Sequence, residues 1–568
     1  MKVKSIKDAV HGYIQLEEPF WRVIDIAEFQ RLKWIEQTSY RVLYPSARHD
    51  RFIHSIGTYH LGKKAFEGFS KNCSKLLSDC NVLENYKNSF LLACLLHDIG
   101  HAPFSHTCEN LYNYQSKVRD IDSPLNKQLY SAIENSTYLN ESEKITLKED
   151  YGFIADNIKL KAPSEHEIMS CILIINKYEI FCNIFTDLKL NVPNLDLVIR
   201  AIIGCTYGYG AKNSEPRLRE NIGIKNCLIR LLNSPTVDVD KLDYIARDTM
   251  MSGYESIVLD NDRLLNSLSF IKKSNNTYYP AFNKSVLSVI DNVIIAKNAQ
   301  AKWIVGHPIV MYESYLLKKS IGVAFKQLYQ QVLLEDEDLK KLDFDSFIRQ
   351  LFSQNTLSKE GGEIGKHHFR LLSDVDIIYF LKKTINNDVI EFFERDKRKR
   401  PIWKSHEEYR YYLSEDEKSC EKVAEFFMPL IMYCEKIEDL SNPISINKSF
   451  IDNIRGNVHD EDGVVEILKV LEDYCILTNH QDDFNFVFLS VKNSFSTEID
   501  SSKTFIRFGD SDSQFITYDK LQGNKSSSKS KSDESYKFFY VFSNFKVDTK
   551  SFLKFVLEKI DNIAVEHC

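Results

Sequence analysis

The sequence predicts a mostly α-helical protein, for three reasons of composition and pattern. The chain of 568 residues has only 20 glycines and 13 prolines, which are low counts for a fold rich in turns. Hydrophobic residues make up 43% and charged residues 27%, as in ordinary globular proteins, so wholesale disorder is excluded. Apolar residues also recur at helical spacing, for example in FWRVIDIAEFQRLKWI and HEIMSCILIINKYEIF. We therefore expect a large, helical core.

Changes in composition and in hydrophobic pattern along the chain predict three successive regions. Residues 1–330 form one helical block, in which the polar stretch 112–163 indicates an excursion between two helices. Residues 331–480 alternate acidic and basic helices and are expected to form a helical C-terminal lobe. Residues 481–568 contain four β-like segments followed by a helix, which predicts a small α+β module. Within it, a Ser/Lys-rich stretch at about 522–535 is typical of a flexible loop.

Charge, cysteine usage and hydropathy limit the function classes. The 73 Lys and Arg against 80 Asp and Glu give a net charge of −7, which argues against a dedicated nucleic-acid coat. No run of about 18 uncharged apolar residues occurs, so neither a membrane span nor a membrane partner is expected. The 12 cysteines contain no Cys-x-x-Cys pair, and the first residues lack the apolar run of a signal peptide. These features predict a cytoplasmic protein with reduced cysteines.

Histidines and carboxylates are concentrated in four segments: RFIHSIG, LLHDIGHAPFSHTCE, SEHE and VDVDKLDYIARD. His97 and Asp98 are adjacent at the end of an apolar helix, and imidazole with carboxylate is a ligand set for divalent transition metals. His54 and Asp240 would complete a site of two histidines and two aspartates if folding brings the segments together. Each residue taken alone is more often a buried core histidine or a solvated aspartate. The conjunction of the motifs favours a metal site.

These segments resemble the HD-domain metal-dependent phosphohydrolases, and among them the deoxynucleoside triphosphate triphosphohydrolases. The likeness rests on KDAVHGYI, FQRLKWIEQ, RFIHSIG and HDIGHAPFSH within residues 4–109, and on DVDKLDYIARD further along. It fades beyond about residue 380. The resemblance implies an HD-domain helical core and a divalent metal, with Mn, Fe, Mg, Ni and Zn all open. It also implies cleavage of a dNTP to a deoxynucleoside and tripolyphosphate.

The resemblance further implies roles for single residues. The metal ligands of the family correspond to His54, His97, Asp98 and Asp240. The acid/base pair corresponds to His106 and Glu109, in which the carboxylate orients the imidazole so that it protonates the leaving 5′ oxygen. Two further active-site histidines, expected to face the phosphates, correspond to His101 and His166.

Substrate contacts follow from the same likeness. Arg51, Lys241 and Lys297 match positions expected to bind the triphosphate, and Gln37, Tyr244 and Asp248 match positions that contact the 3′-hydroxyl of the sugar. Lys297 stands where the relatives have an arginine, which keeps the charge but loses the bidentate geometry of a guanidinium. Thr38 and Val305 replace two residues that crowd out a 2′-hydroxyl in a vertebrate member of the family. Selectivity for deoxynucleotides is expected if other residues take over the exclusion of the 2′-hydroxyl. The alternative is that the smaller side chains of Thr38 and Val305 admit a ribose.

Regulation and assembly are also implied by the family. Lys4, Asp25, Gln30 and Lys33 resemble a regulatory nucleotide site, and a solvated helix face is the alternative explanation. The relatives suggest a homo-oligomer, either tetramer or hexamer. The basic run RDKRKRPIWK at 395–404 indicates either a solvated helix end or a contact with phosphate, from a nucleotide or from single-stranded nucleic acid.

Two other functions remain open from the sequence. One keeps the metal site but changes the substrate to a nucleoside monophosphate or a signalling nucleotide. The other is a non-catalytic nucleotide sensor or nucleic-acid-binding protein with a structural HD site. For the leading hypothesis, removal of dNTPs would serve antiviral or antiphage defence as well as housekeeping control of the nucleotide pool, because the chemistry is the same.

Overall fold

Helices dominate the structure, a computed structural model, and confirm the predicted mostly α-helical class. The structure describes residues 2–38, 40–74, 77, 82–117, 119–157, 160–208, 216–254, 258–273, 277–336, 341–414, 416–437, 440, 444–457, 463–491, 499–509, 514–522 and 537–566. The predicted flexible loop at about 522–535 lies outside the described residues, apart from its first position.

The helices follow one another along the whole chain. They are α1 (Glu18–Ile24), α2 (Ala27–Gln30), α3 (Arg51–Cys73), α4 (Val82–Leu96), α5 (Pro124–Asn135), α6 (Glu141–Asp156), α7 (Glu165–Asn176), α8 (Tyr178–Asp187), α9 (Leu195–Ile203), α10 (Pro216–Leu232), α11 (Val239–Ser252), α12 (Asn261–Asn266), α13 (Leu287–Ala299), α14 (Pro308–Glu335), α15 (Phe344–Leu351), α16 (Gln354–Leu357), α17 (Asp374–Lys383), α18 (Asn387–Phe393), α19 (His406–Tyr412), α20 (Glu417–Ile437), α21 (Lys448–Asn457), α22 (Val464–Leu477), α23 (Tyr518–Leu521) and α24 (Thr549–Glu566). Within the described residues, no single helix has the length and apolar character to cross a membrane; α7 and α8 meet that test only as a pair, bent by 58°.

The strands form small sheets. They are β1 (Val3–Asp8), β2 (Gly12–Glu17), β3 (Leu268–Lys272), β4 (Tyr278–Asn283), β5 (Gly362–Ile364), β6 (His367–Phe369), β7 (Arg400–Pro401), β8 (Ile446–Asn447), β9 (Asn485–Ser490), β10 (Phe505–Arg507), β11 (Phe515–Thr517) and β12 (Phe539–Ser543). β1 and β2 form one antiparallel hairpin and β5 and β6 another. The two four-stranded sheets have the orders β11-β10-β4-β3 and β7-β12-β9-β8.

The chain divides into two units, neither of which is continuous in sequence. The first is made of Met1–Gln300, Tyr329–Ile378 and Thr497–Asn524, and the second of the segments between and after them. All residues predicted to bind metal or to act on substrate by proton transfer lie in the first unit. The site can therefore be described within that unit alone.

Two long helices lie at the centre of the first unit. α3 packs against α4, α11 and α12, and α4 packs against α9. From Phe90 to Leu96 every side chain of α4 is buried, because FLLACLL is apolar on all sides and not along one stripe only. α3 begins after Asp50, whose side chain accepts the N–H of Ile53 at 2.9 Å and so caps the helix. The first turn of α3 carries the predicted metal ligand His54, and the residues directly after α4 include the predicted ligands His97 and Asp98.

The second unit has its own core, which is rich in aromatic residues. The strand order β7-β12-β9-β8 forms its sheet, and α20 packs against α22 and α24. All five side chains of β12 are buried. The indole N–H of Trp403 donates to the carbonyl of Phe539 at 3.0 Å, so the largest buried side chain of this core is also hydrogen-bonded.

The β-like segments near the C-terminus are strands, but they do not form the separate module expected for 481–568. β10 pairs in parallel with β4 of the first unit, whereas β9 and β12 pair with β8 and β7 of the second. The boundaries expected at 330 and 480 also differ from those of the two units. The physical reason is that an alternating pattern identifies a strand but carries no information about a partner far away in sequence.

The polar stretch 112–163 contains two helices, α5 and α6, that belong to the first unit. α5 packs against α7, and α6 packs against α9. The buried side chains of these two helices include Leu129, Ile133 and Tyr151. Asp150 of α6 also accepts a hydrogen bond at 2.8 Å from buried Arg200 of α9. The excursion is thus a packed helical insertion, in which Leu129, Ile133 and Tyr151 face the core.

Candidate active site

Three segments supply the centre of the site. His54 lies in the first turns of α3, His97 and Asp98 lie directly after α4, and Asp240 lies in the first turn of α11. The Nε2 atom of His54 is 3.0 Å from Oδ1 of Asp240 and 3.5 Å from Oδ2 of Asp98. The Nε2 atom of His97 is 3.5 Å from each of the same two carboxylates. The structure therefore brings together all four residues that the sequence suggests as metal ligands.

This cluster fits a divalent metal ion. Ligand atoms about 2 Å from one ion lie roughly 3 to 3.5 Å from one another, as the atoms here do. The Nε2 atoms of His54 and His97 are buried and make no hydrogen bond to any described residue, which an ion in the cluster would remedy. The side chain of Asp240 is 33% exposed, whereas that of Asp98 is 2% exposed. The cluster is thus open to a substrate on the Asp240 side.

A second layer of contacts orients the two histidines. Nδ1–H of His54 donates to Oδ2 of Asp243 at 2.7 Å, and Nδ1–H of His97 donates to the carbonyl of Cys94 at 3.0 Å. In both rings the remaining nitrogen, Nε2, is therefore the one that faces the cluster, as is usual for metal-binding histidines. Burial opposes the charged form of His54, but Asp240 and Asp243 outweigh it and raise the pKa of His54 to about 9. A cation that binds Nε2 displaces this proton.

Asp243 is a functional residue that the sequence reasoning did not single out. Besides His54 it accepts hydrogen bonds from His11 at 2.6 Å and from two nitrogens of Arg247 at 2.8 and 2.9 Å. Arg247 in turn donates to Asp8 at 2.8 Å. A sequence signal for it exists, since Asp243 follows Asp240 by three residues on α11 and precedes Arg247 by four, spacings that place all three side chains on one face.

A glycine allows the segment after α4 to approach α7 closely. A Cβ atom at Gly100 would lie 2.3 Å from the backbone nitrogen of Ser170. The N–H of Gly100 donates to Oγ of Ser170 at 2.9 Å, and the hydroxyl of Ser170 donates to the carbonyl of His97 at 2.7 Å. This contact holds His97 and His101 next to the start of α7, where His166 lies.

Next to the metal cluster lies a group of Glu109 and three histidines, two of which are hydrogen-bonded to Glu109. Its Oε1 accepts from Nδ1 of His106 at 3.1 Å, and its Oε2 accepts from Nδ1 of His166 at 2.6 Å. The rings of His101 and His166 are stacked with centroids 3.9 Å apart, and Nε2 of His101 lies 3.2 Å from Oδ1 of Asp98. The predicted pair of His106 and Glu109 is therefore present as a hydrogen-bonded pair, and His101 and His166 lie between this pair and the predicted metal ligand Asp98.

The pKa values of Glu109, His166 and His101 are shifted in different directions. Burial opposes ionisation of Glu109, but His106 and His166 hold the pKa of its carboxyl well below the usual range. Burial likewise opposes the charged form of His166, yet Glu109 raises the pKa of that imidazole. Burial, with the charges of Arg51 and His166, lowers the pKa of His101. Neighbouring groups with pKa values pushed apart in this way are typical of acid/base sites.

Exposure distinguishes the three histidines further. The side chain of His106 is 63% exposed, whereas those of His101 and His166 are 0% and 9% exposed. His106 is thus the histidine of this group that a substrate can reach without rearrangement of the protein.

Two of the residues expected to bind phosphate are paired with carboxylates. Arg51 is buried and donates to Oδ2 of Asp98 at 2.7 Å and to Oγ of Ser105 at 3.0 Å. Lys241 donates to Oδ2 of Asp238 at 2.6 Å and to the carbonyl of Ser234 at 2.7 Å. These contacts stabilise the metal cluster and the start of α11, and a role of either residue toward phosphate stays a prediction.

The residues expected around the sugar lie in a second group of contacts. Asp248 accepts from Nε2 of His49 at 2.7 Å and from the side-chain amide of Gln300 at 2.5 Å. The backbone N–H of Gln37 donates to the carbonyl of His49 at 3.1 Å, and its buried Oε1 makes no hydrogen bond to a described residue. His49 and Gln300 are additions to the predicted set. The ammonium of Lys297 lies 4.5 Å from the ring centroid of Tyr244.

The residues suggested for a regulatory nucleotide form two neighbouring pairs. Nζ of Lys4 is 3.6 Å from Oδ1 of Asp25, with both side chains about half exposed, and Nζ of Lys33 donates to Oε1 of Gln30 at 2.6 Å. In the basic run 395–404, which lies in the second unit, Lys399 is buried against Glu391 at 3.0 Å. A regulatory or nucleic-acid-binding role for these positions stays a prediction.

Comparison with known proteins places the site in a family context. Residues 51–158 match the family model of the HD domain. An uncharacterized protein of Methanocaldococcus jannaschii is 25% identical over 359 residues, which cover 62% of this chain and 56% of that protein. A putative HD domain-containing protein of Acanthamoeba polyphaga mimivirus is 27% identical over 54% of this chain and 55% of its own length.

A shorter match carries a functional name. The deoxynucleoside triphosphate triphosphohydrolase SAMHD1 of Xenopus laevis is 32% identical over 174 residues, which cover 29% of this chain and 26% of that enzyme. The matches span about half the length of the relatives from Methanocaldococcus and mimivirus. Together they confirm the resemblance to HD-domain proteins that include dNTP triphosphohydrolases.

Proposed function

Because this chain carries an HD domain with a complete cluster of metal-binding side chains, we propose that it is a metal-dependent deoxynucleoside triphosphate triphosphohydrolase. The products of the proposed reaction are a deoxynucleoside and intact tripolyphosphate. The observation that carries the proposal is the exposed His106, which is hydrogen-bonded to Glu109 and whose ring lies 5.2 Å from that of His101, a neighbour of the predicted ligand Asp98. A divalent ion in the cluster supplies charge stabilisation at the phosphate under attack and assists ionisation of water.

In the proposed reaction, the side chains of the site supply a proton to the leaving group and stabilise the proton donor. The oxygen of water adds to the α-phosphorus, and the bond from this phosphorus to the 5′ oxygen breaks. The leaving 5′ oxygen takes its proton from Nε2 of His106, while Nδ1–H of the same ring stays hydrogen-bonded to Glu109. The carboxylate stabilises the protonated ring and fixes its orientation. His166 shares this carboxylate, so that its charge and that of Glu109 balance each other within the site.

The finer parts of the proposal concern sugar selectivity, regulation by a nucleotide, assembly, cellular location and biological role. We place the sugar beside Gln37, Asp248 and Tyr244. An activating nucleotide near Lys4 and Lys33, and assembly into a homo-oligomer, are proposed from the family likeness. A cytoplasmic location accords with buried free thiols such as those of Cys94 and Cys171. A role in antiviral or antiphage defence through dNTP depletion belongs to the same proposal.

Product analysis tests the proposal. Purified protein loaded with Mn²⁺ is incubated with each dNTP and NTP, singly and in pairs, and nucleoside, monophosphate and polyphosphate are resolved. We expect deoxynucleoside and tripolyphosphate in equal amounts, and activity confined to mixtures would identify an activating nucleotide. Release of orthophosphate or of a nucleoside monophosphate would show a different reaction. Absence of any product in all mixtures, with Mn²⁺ bound, would reject the proposal.

A ligand variant provides the control for this assay. Asp240→Asn removes a carboxylate ligand but keeps a side-chain oxygen beside His54 and His97, whereas Asp98→Ala would leave the buried Arg51 without its carboxylate. We expect Asp240→Asn to lose Mn²⁺ binding and product formation while it keeps the helical circular dichroism of the wild type. Product formation at the wild-type rate would show that Asp240 is not a ligand, whatever the substrate.

A further inference from the structure

The backbone between Asp98 and His106 follows an unusual course. Phe104 and Ser105 both adopt left-handed conformations, with φ of 56° and 50°. Such values are unfavourable for residues with a side chain, and they persist only where surrounding contacts hold the backbone in place. His106 follows immediately, in the short 3-10 turn Ser105–Thr107. The position of the proposed general acid therefore depends on whatever holds this turn.

A carboxylate far away in sequence makes these contacts. Asp374 is buried; its Oδ1 accepts the N–H of Phe104 at 2.6 Å and its Oδ2 accepts the N–H of Glu36 at 2.8 Å. A buried carboxylate that accepts two backbone N–H groups joins the two segments more strongly than neutral hydrogen bonds do. The segment that leads into His106 is thereby tied to the segment that leads into Gln37.

An arginine completes the arrangement on the carbonyl side. The guanidinium of Arg31 is buried and donates to the carbonyls of Ile99 at 3.0 Å, His101 at 2.8 Å and Leu372 at 2.8 Å. Asp374 thus accepts one N–H of the loop 99–105, and Arg31 donates to two of its carbonyl groups. We call these two residues the loop clamp.

The clamp is also connected to the metal cluster. The carbonyl of Glu36 accepts the hydroxyl of Ser105 at 2.6 Å, and Oγ of Ser105 accepts Nε–H of Arg51 at 3.0 Å. Arg51 donates to Asp98 at 2.7 Å. A continuous path of hydrogen bonds therefore runs from the clamp to a predicted metal ligand, while the covalent chain runs from Phe104 to His106.

We propose that Asp374 is a positioning residue for proton transfer, which fixes the left-handed turn at Phe104 and Ser105 and thereby the place of His106. This inference rests on the proposed function, because it assigns His106 as the group to be positioned. Asp374 is the first residue of α17, yet its side chain binds two other segments. The next acidic residue, Asp376, makes the local contact at the start of the helix instead. Its Oδ2 accepts both the N–H and the hydroxyl of Ser373 at 2.8 Å.

The pair of carboxylates provides a matched test. Asp374→Asn keeps the size of the side chain but sets an NH₂ group against one of the two backbone N–H donors. Asp376→Asn makes the same chemical change two residues away, outside the clamp. We expect Asp374→Asn to lower kcat by about 10²-fold, the cost of a misplacement of about 1 Å, with KM and the Mn²⁺ stoichiometry unchanged. We expect Asp376→Asn to keep the wild-type kcat.

Three results would overturn the inference. They are a wild-type kcat in Asp374→Asn, an equal loss in Asp376→Asn, and a loss explained by a fall of Mn²⁺ stoichiometry or of Tm to the assay temperature. Amide hydrogen exchange gives a readout that needs no substrate. Peptides that contain Phe104 should exchange faster in Asp374→Asn than in Asp376→Asn.

The wild-type protein provides a further measurement if Asp374→Asn does not fold. The amides of Phe104 and Glu36 should be protected from exchange in the wild type at pH 8, and complete exchange within seconds would contradict the clamp. If the wild type hydrolyses no dNTP while these amides are protected, the proposed function fails and the clamp stands. Hydrolysis of dNTPs with unprotected amides would support the proposed function and reject the clamp.

Discussion

His106 differs from His101 and His166 in exposure, and this difference bears on its chemical role. A general acid must reach the leaving group, and its removal usually costs 10² to 10⁴ in rate. We therefore expect His106→Ala to lower kcat by about 10²- to 10⁴-fold, with Mn²⁺ bound as in the wild type. Steady-state kinetics with metal analysis measure both quantities.

The chain offers a control for the histidine variant. His368 lies on β6 in the same unit and is exposed, but it is not part of the site. His368→Ala should retain the wild-type kcat. A rate for His106→Ala within a factor of two of that control would remove His106 from the mechanism.

Asp374 gives the protein a predictable dependence of stability on pH. Burial raises the pKa of Asp374 to about 7, in spite of the amides of Glu36 and Phe104 and the charge of Arg31. Between the unfolded value near 4 and this value, the folded protein holds a proton that the unfolded chain lacks, so this residue lowers the free energy of unfolding as pH rises through that window. Asp374→Asn should remove this contribution.

Urea unfolding at pH 5 and pH 8 measures the effect as a difference between proteins. The decrease in the free energy of unfolding from pH 5 to pH 8 should be larger in the wild type than in Asp374→Asn. Asp376→Asn should follow the wild type. An identical pH dependence in all three proteins would contradict the raised pKa of Asp374.

At the scale of elements, the contact between α3 and α11 supports the metal cluster. A Cβ atom at Gly57 would lie 1.9 Å from Oδ1 of Asp243 and 2.4 Å from a nitrogen of Arg247. Gly57→Ala must therefore displace Asp243, which orients His54. Loss of such a supporting contact typically weakens metal binding 10- to 100-fold, so we expect the Kd for Mn²⁺ to rise by about this factor. Isothermal titration calorimetry measures it.

A second helical glycine provides the comparison. At Gly152 of α6 the nearest atom to an added Cβ is the hydroxyl of Tyr130, at 3.7 Å. Alanine is favoured over glycine inside a helix by about 1 kcal/mol, so Gly152→Ala should be at least as stable as the wild type and should bind Mn²⁺ normally. Weakened binding in both variants would mean that the effect at Gly57 is not specific.

The sequence predicts individual elements of the site better than the contacts between them. Four apolar or capped segments locate α3, α4, α7 and α11, and the motifs on them include the residues of the metal cluster. Asp374 shows why contacts between elements cannot be predicted from the sequence pattern. Nothing in SDVDIIYF distinguishes a carboxylate that caps its own helix from one that binds residue 104, because that choice is made by tertiary packing. The same holds for His49 and Gln300, which meet only at Asp248.

At the scale of the whole molecule, metal binding and stability are linked. The predicted ligands come from three separate parts of the first unit, so an ion bound to them favours the folded state of that unit over the unfolded chain. At a free Mn²⁺ concentration 100 times Kd, one site adds about 2.7 kcal/mol to the free energy of unfolding. We expect a higher Tm with Mn²⁺ and its reversal by a chelator, measured by scanning calorimetry.

The ligand variant separates this effect from general salt effects. Asp240→Asn should show no increase of Tm at the same Mn²⁺ concentration. Transitions that unfold the second unit should not shift, since the predicted ligands all lie in the first. An equal increase of Tm in Asp240→Asn would mean that Mn²⁺ stabilises the protein elsewhere.

The pairing of β10 with β4 has a consequence for synthesis on the ribosome. Asn283 and its partner Arg507 are about 220 residues apart, and translation at roughly 5 to 20 residues per second needs about 10 to 45 s to cover that distance. During this interval β4 has no neighbour on one side, and an unpaired strand edge is a template for pairing with other chains. The nascent polypeptide thus emerges with the histidines of the proposed active site long before its sheet is complete, and chaperone protection of that edge matters most in this period.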